Sequence, residues 1–397
     1  MPDSGQLTQT AAIPFDADLL DRLMETAGID VLVASSKHNV QYLLGGHRSL
    51  FFDYMDATGL SRYLPLVIYP KGGRDKAAYI GHRLEKFQTE VAPFWTSSTE
   101  TTTNGSIDAM EKAIAYLRRA GITTRNIGVE MPFLPADAAM SLRSAFPDAS
   151  VKDAVVPLER LRARKRPDEL AMLREASERV VQSMLAVMTK HPPGATKREL
   201  TEALRREEVS RGMNFEYCLI TAGTSLNRAP SDVRWGKGDI LSLDSGGNYH
   251  GYIGDLCRMA IHGEPDAELV EILDEIETIQ RAAFNPIKAG LVGGNIYAAA
   301  EPLLKKSKHK EYTQFLAHGM GLVSHEAPRL TARGPVPYDA FDGERPLEAG
   351  MMVSVETTVL HPRRGFIKLE DTIAVTQNGF EIFGEGGRGW NRGGTAA

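Results

Sequence analysis

The stretch Gly238-Asp239-Ile240-Leu241-Ser242-Leu243-Asp244-Ser245-Gly246-Gly247-Asn248-Tyr249-His250-Gly251-Tyr252-Ile253-Gly254-Asp255-Leu256-Cys257-Arg258 opens as an apolar strand that terminates in an acid, Asp244. A turn rich in Gly and Asn returns the chain as a second strand carrying Asp255. In such a hairpin Asp244 and Asp255 can lie side by side, and adjacent inward carboxylates repel unless a cation or a proton holds them. A metal resolves that repulsion; two turn acids facing water would not need one.

Three further segments carry residues of the same kind. Ala317-His318-Gly319-Met320-Gly321-Leu322-Val323-Ser324-His325-Glu326-Ala327-Pro328-Arg329 sets His318 and His325 around a glycine-rich bend, so that one can ligate while the other faces a substrate. Leu347-Glu348-Ala349-Gly350-Met351-Met352-Val353-Ser354-Val355-Glu356 and Gly365-Phe366-Ile367-Lys368-Leu369-Glu370-Asp371-Thr372 are β-patterned runs that each deliver a glutamate, Glu356 and Glu370, into apolar surroundings. Read singly, these glutamates equally suit strand-end surface positions, and Arg329 an ordinary surface cation.

Working outward, the second half of the chain repeats an order of elements. A helix from Pro167 leads to Gly194 and then to Thr196 and Glu199 at capping-box spacing. A second helix, Asp266 to Ala283, leads to Gly290 and Asn295, and each half closes in acid-bearing strands. Towards the amino terminus, Met1 to Pro14 reads as a loose arm before a helix with Leu19, Leu20, Leu23 and Met24 on one face. Strand-like runs at Ile29 to Val33, Tyr63 to Tyr69, Lys76 to Ile80 and Ile127 to Glu130, with a helix over Ile107 to Ala120, make a small α/β domain. The charged stretch Leu158 to Glu169 reads as a connector, with an anion site as the other reading, and sets domains of 1–157 and 158–397.

Composition narrows the function classes. A length of 397 residues with 42% hydrophobic and 24% charged residues suits two or three folded domains and excludes a disordered chain. The net charge of -5 provides no positive field for phosphate backbones or an anionic membrane, so nucleic acid is not an expected partner. Two cysteines, Cys218 and Cys257, cannot form a disulfide framework and suit a reducing compartment. No run is long enough to span a bilayer and the first twenty residues lack a secretory pattern, so the cytoplasm is the expected location.

Taken together, the segments resemble the pita-bread metallopeptidases, peptidase family M24, in the branch of creatinase, prolidase and aminopeptidase P. The shared pattern is Asp244, ten residues, Asp255, then His-Gly-x-Gly-x-x-x-His-Glu from His318, then Glu356 and a final Glu370-Asp371-Thr372. Asn39-Val40-Gln41-Tyr42-Leu43-Leu44-Gly45 also resembles the amino-terminal domain of that branch. The resemblance implies an α/β (α+β) fold: a creatinase-like domain, then two pseudo-symmetric halves whose strands meet at a metal site. It implies that Asp244 binds one metal through both oxygens, that Asp255 and Glu370 bridge two, and that His318 and Glu356 complete the shells. One nitrogen among oxygen ligands is the preference of Mn²⁺ or Co²⁺, with Fe²⁺ and Zn²⁺ possible. Two such cations can deprotonate a shared water that then attacks an amide carbonyl. By the same resemblance Glu356 shuttles the proton to the leaving nitrogen, His325 faces the scissile group and Arg329 the substrate carboxylate. The implied protein is an Xaa-Pro dipeptidase or aminopeptidase P type hydrolase acting on a dipeptide or other small molecule. It implies a homodimer whose loop His47 to Tyr54 borders the partner's site.

One position departs from that pattern. Family peptidases usually place a histidine about a dozen residues before the Gly-Asp that opens the first metal strand, and here the position falls on Asn227. Asn can donate and accept hydrogen bonds but cannot titrate. A second reading therefore stands beside the first: a relative acting on a small non-peptide carboxylate metabolite by C–N hydrolysis or lyase chemistry. A third is a catalytically silent binding protein, against which the intact set of four acids and one histidine weighs, because buried charges without a metal cost stability.

Overall fold

Asp16 accepts a hydrogen bond from Leu19 N at 2.8 Å and so starts helix α1 (Ala17–Ala27). Gly28, at φ 63°, ends it by returning its N–H to the last turn, a backbone conformation that glycine adopts without strain. The helix buries Leu20 and Met24 completely, worth about 1.5–3 kcal/mol each. The structure is a computed structural model that describes residues 12–48, 59–332 and 339–394. Of the arm expected over Met1 to Pro14, residues up to Ala11 lie outside that range, as do Ser49 to Tyr54 of the loop expected to border a partner.

The chain divides into two units, the first closing at Arg162 and the second opening at Ala163. In the first, strands β1 (Val31–Ala34), β2 (Leu66–Pro70), β3 (Ala78–His82), β4 (Ser98–Thr103), β5 (Asn126–Val129) and β6 (Ser150–Asp153) form one mixed sheet in the order β4-β3-β2-β1-β5-β6. Helices α2 (Lys37–Leu43), α3 (Ser106–Arg119), α4 (Ala136–Ala145) and α5 (Val155–Ala163) complete the unit. Val31, Val33, Leu66, Ile68 and Ile80 of the sheet pack with Met110 and Leu117 of α3. The sequence reading contains no counterpart of β4 and β6. Both are edge strands with polar, half-wet sequences, and an edge needs no apolar alternation to pair. The Asn39 to Gly45 segment starts within α2 and runs past its end, and there Asn39 Nδ2 donates to the fully buried Glu130 at 2.5 Å, while Glu130 also accepts from Ser35 N and Ser36 N.

The second unit repeats one plan twice. Helices α6 (Pro167–Lys190) and α7 (Lys197–Ser210) precede β7 (Asn214–Ala222), β8 (Ile240–Tyr249) and β9 (Tyr252–Ile261). Helices α8 (Ala267–Phe284) and α9 (Asn295–Lys306) precede β10 (Thr313–Gly319), β11 (Met352–His361) and β12 (Gly365–Val375). The strands join in the order β10-β11-β12-β9-β8-β7, with β13 (Phe380–Phe383) on β12 and β14 (Asn391–Arg392) on β9. Thr196 and Glu199 form the expected capping box at the start of α7. Each half has its own core, one around Met184, Leu204 and Leu243, the other around Phe284, Val355 and Ile373. The α/β fold expected from the sequence is the one observed, and the two halves meet where Glu370 of β12 pairs with Cys257 of β9.

Candidate metal centre

Strand register assembles the site. Leu219, Asp244, Cys257, Glu370, Glu356 and Leu316 pair successively across β7, β8, β9, β12, β11 and β10, so their side chains share one face of the sheet. One step along, Tyr217 pairs with Gly246 and Gly246 with Asp255, while Thr372 pairs with Ser354 and Ser354 with His318. Asp244 and Asp255 are therefore diagonal neighbours on one face, held there by the tight turn at His250 and Gly251, both at positive φ. Gly246 between them is obligatory, because a Cβ there would stand 2.3 Å from the Tyr217 ring. That ring covers the glycine and its hydroxyl reaches Asp255.

The convergence is tight. Oxygens of Asp244, Asp255 and Glu370 lie within 4.8 Å of one another, and so do ligand atoms of His318, Glu356 and Glu370 and of Asp255, His318 and His325. Burial raises the Asp244 carboxyl to about 6 against the pull of Lys368. Burial, then Glu370 and Asp244, push Asp255 well above the usual carboxylate range. Burial also opposes ionisation of Glu370, but Lys368 and His318 outweigh it and hold that carboxyl below its usual range. His318 is raised to about 9 although burial disfavours its charge, because Glu370 and Glu356 face it. His325, stacked on His318 with ring centroids 3.8 Å apart, is lowered to about 4 by burial and by that neighbour.

These residues fit a divalent cation. His318 Nδ1 lies 3.2 Å from Gly319 O, while Nε2 is buried without a hydrogen-bond partner, 3.6 Å from Glu370 Oε1 and 3.9 Å from Glu356 Oε1. Glu370 Oε2 is also buried, with the Lys368 ammonium 2.8 Å away. Once His318 gives up its proton, its ring nitrogen and the carboxylate oxygens around it are the donor set of a hard or borderline divalent metal. Lys368 already shows where positive charge is wanted: its Nζ lies 2.7 Å from Asp244, 2.5 Å from Glu356 and 2.8 Å from Glu370.

Buried ion pairs brace this face from behind. Arg258, fully buried, donates to Asp371 Oδ1 and Glu370 O, both at 2.8 Å, and Arg388 also pairs with Asp371. Gln280 Nε2 joins β11 to β12 through Val355 O and Leu369 O. Removing one partner from such a network costs about 3–5 kcal/mol, because an uncompensated buried charge is left behind.

A cavity of about 780 Å³ opens onto the cluster, lined by Asp244, Asp255, Glu356, Glu370 and His325 and walled by Leu219, Phe315, Leu316 and Phe366. Arg329 is not among the described residues that line it; its backbone N–H donates to Asp342 Oδ2. Asn227 is exposed and not among them either, and its Oδ1 accepts from Ala229 N. Among the lining residues that escape the sequence reading are Tyr217, Arg228 and Lys368. A signal for Lys368 exists, since strand alternation places it on the face of Glu370. Arg228 lies in a connection without periodicity, where nothing local marks it.

The match to known proteins is extensive. Residues 171–377, just over half of the chain, match the model of metallopeptidase family M24, and residues 18–164 match the creatinase/prolidase N-terminal domain. An uncharacterized peptidase of Bacillus subtilis, YqhT, is 26% identical over 91% of this chain and 95% of its own. The Xaa-Pro dipeptidase of Pyrococcus furiosus is 27% identical over 55% of this chain, a match that spans 62% of that protein. The probable dipeptidase PepE of Mycobacterium tuberculosis is 30% identical over 56% of this chain and 58% of its own. Among solved structures, the Xaa-Pro dipeptidase from Bacillus anthracis superposes with a TM-score of 0.77 over 93% of this chain and 98% of that one, at 24% identity. The chain thus belongs to metallopeptidase family M24, a family of metal-dependent hydrolases, and carries the creatinase/prolidase type of amino-terminal domain.

Proposed function

We propose that the protein hydrolyses Xaa-Pro peptides, as a dipeptidase or aminopeptidase P type enzyme, with a dinuclear centre. The observation that carries this reading is that Asp244, Asp255, His318, Glu356 and Glu370 fall into overlapping groups of ligand atoms, linked through Glu370, beside a cavity that Asp244, Asp255, Glu356 and Glu370 line. Asp244 would hold one cation, Asp255 and Glu370 would bridge two, and His318 and Glu356 would complete the set, with Mn²⁺ or Co²⁺ preferred by donor chemistry. When bound, the cations supply Lewis acidity and lower the pKa of water.

The chain's own residues then divide the remaining work. Glu356 is only partly buried, at the edge of the cluster, and so can accept a proton from water and return it to the leaving nitrogen. His325 lines the cavity and, with its pKa lowered to about 4, stays neutral at pH 7. Its Nδ1 lies 3.2 Å from Ser324 Oγ, which fixes the ring so that Nε2 can serve the scissile group. The apolar wall of Leu219, Phe315 and Phe366 suits a proline ring. Hydrolysis of a non-peptide metabolite is disfavoured, because several of the named relatives are dipeptidases. A homodimer and a cytoplasmic location belong to the same reading; among the described residues no helix is long and apolar enough to cross a membrane.

The test is kcat/KM for a panel of Xaa-Pro dipeptides after loading with Mn²⁺ or Co²⁺. A value of about 10⁴ M⁻¹s⁻¹ or above on at least one supports the reading. Protein that takes up metal yet leaves every Xaa-Pro substrate intact would overturn it.

A further inference from the structure

We propose that Arg228 is the anion anchor of the cavity and takes the carboxylate of the substrate, the role that sequence resemblance places on Arg329. Arg228 and Lys368 supply the Arg and Lys side chains among the described residues lining the cavity. Lys368 is buried and engaged by three carboxylates, so its donors face the cluster and not an incoming ligand. Arg228 is placed differently. Its side chain is 34% exposed, its guanidinium lies 4.9 Å over the Phe366 ring, and its Nη2 is engaged by Asp244. Its Nε is buried without a hydrogen-bond partner. A guanidinium has five N–H donors and its planar fork matches a carboxylate, so one bond to Asp244 leaves donors for a second oxyanion.

The connection that carries Arg228 is clamped. Ile220 N donates to Arg228 O at 2.9 Å, tying the loop to β7. Lys197, fully buried, donates to Asn227 O at 2.6 Å, and Asn227 Oδ1 closes the turn through Ala229 N. Asn227 is thereby a positioning residue for Arg228. The bond from Arg228 to Asp244 fixes the spacing between the anion and the acid cluster, and Leu219 and Phe366 supply apolar surface in the same cavity. A ligand with a carboxylate one short apolar group away from its reacting centre matches that layout, a deeper statement of the Xaa-Pro reading on which it rests.

The experiment compares wild type, Arg228→Ala, Arg228→Lys and Arg329→Ala, each loaded with Mn²⁺ and checked for metal content. Calorimetric titration with proline and with prolinamide reads the carboxylate alone, without turnover. Wild type is expected to bind proline at least tenfold more tightly than prolinamide, Arg228→Ala to level the two, and Arg228→Lys to restore part of the gap. Where Ala-Pro is hydrolysed, Arg228→Ala should lose at least tenfold more in KM on Ala-Pro than on its amide. Equal losses on both probes, a preference unchanged in Arg228→Ala, or a gap that closes in Arg329→Ala instead would each overturn the assignment. Failure of the Xaa-Pro reading shows separately, as wild type that hydrolyses no Xaa-Pro peptide while its titrations still report on Arg228.

Discussion

Lys368 stands two residues before Glu370 on the same face of one strand, and its ammonium lies 2.8 Å from Glu370 Oε2 and 2.7 Å from Asp244 Oδ2. A fixed monovalent cation is thus built into the carboxylate cluster that would receive divalent ones. Its own proton is held tightly: burial disfavours the charge, but Asp244, Glu356 and Glu370 outweigh burial and raise its pKa well above the usual range.

Lys368→Met should therefore destabilise the metal-free protein by about 3–5 kcal/mol, the cost of leaving buried carboxylates without their cation. Metal should recover much of that loss, because divalent ions supply the missing charge and stabilise by mass action. Thermal unfolding with and without Mn²⁺ checks this. A metal-free Tm equal to that of wild type would show that the three acids are neutralised by other means.

Asp255→Ala should remove at least one of the two ions proposed to bind, since Asp255, like Glu370, is a buried acid shared by two of the three ligand groups and is proposed to bridge. Metal content by mass spectrometry of desalted protein is the measurement. Retention of two ions per chain would exclude a bridging role for this carboxylate.

Much of this arrangement was legible in the amino-acid order and some was not, for physical reasons. Asp244 and Asp255 lie on adjoining strands of one hairpin, so local alternation and the Gly-rich turn suffice to bring them together. Their meeting with Glu356 and Glu370 depends on β9 pairing with β12, a contact more than a hundred residues apart that no local period encodes. Tyr217 reaches the cluster only after a register shift between Phe215 and Tyr217, which breaks the simple alternation of β7. Arg329 fits the family motif by its position relative to His318, and its backbone N–H donates to Asp342 Oδ2.

Asn227→His bears on whether an imidazole at that position would serve the reaction. Asn227 is exposed, caps its own turn and receives Lys197, so the substitution should loosen the loop and not deliver an imidazole to the cavity. Turnover of Ala-Pro is expected to stay level or to fall by up to about tenfold, equivalent to about 1.4 kcal/mol in the transition state. A rise in kcat/KM would show that the side chain reaches the substrate.

Glu208, buried on α7, links pH to stability in a way that its hydrogen bonds explain. Ser245 Oγ lies 3.0 Å from Glu208 Oε1 and 2.7 Å from Tyr217 O, yet a hydroxyl has one proton to give. Both contacts are satisfied if Glu208 is protonated and donates to Ser245, which then donates to Tyr217 O. Consistently, burial raises the Glu208 carboxyl to about 8, against lowering contributions from Ser245 and Arg205. The folded state therefore holds a proton that the unfolded state releases above its ordinary value of 4.5. Protons bound are more numerous in the folded state between those two values, so the free energy of unfolding falls as pH rises through the window, by about 1.4 kcal/mol per unit. Below the window the group contributes no slope, and above it the full penalty persists. Glu208→Gln keeps a donor for Ser245 and cannot ionise. Urea unfolding of both proteins at pH 5.5 and pH 8.5 should show the variant gaining on the order of 3 kcal/mol relative to wild type at the higher pH. A difference between variant and wild type that is the same at both pH values would mean that Glu208 is ionised in the fold and that Ser245 donates to it instead.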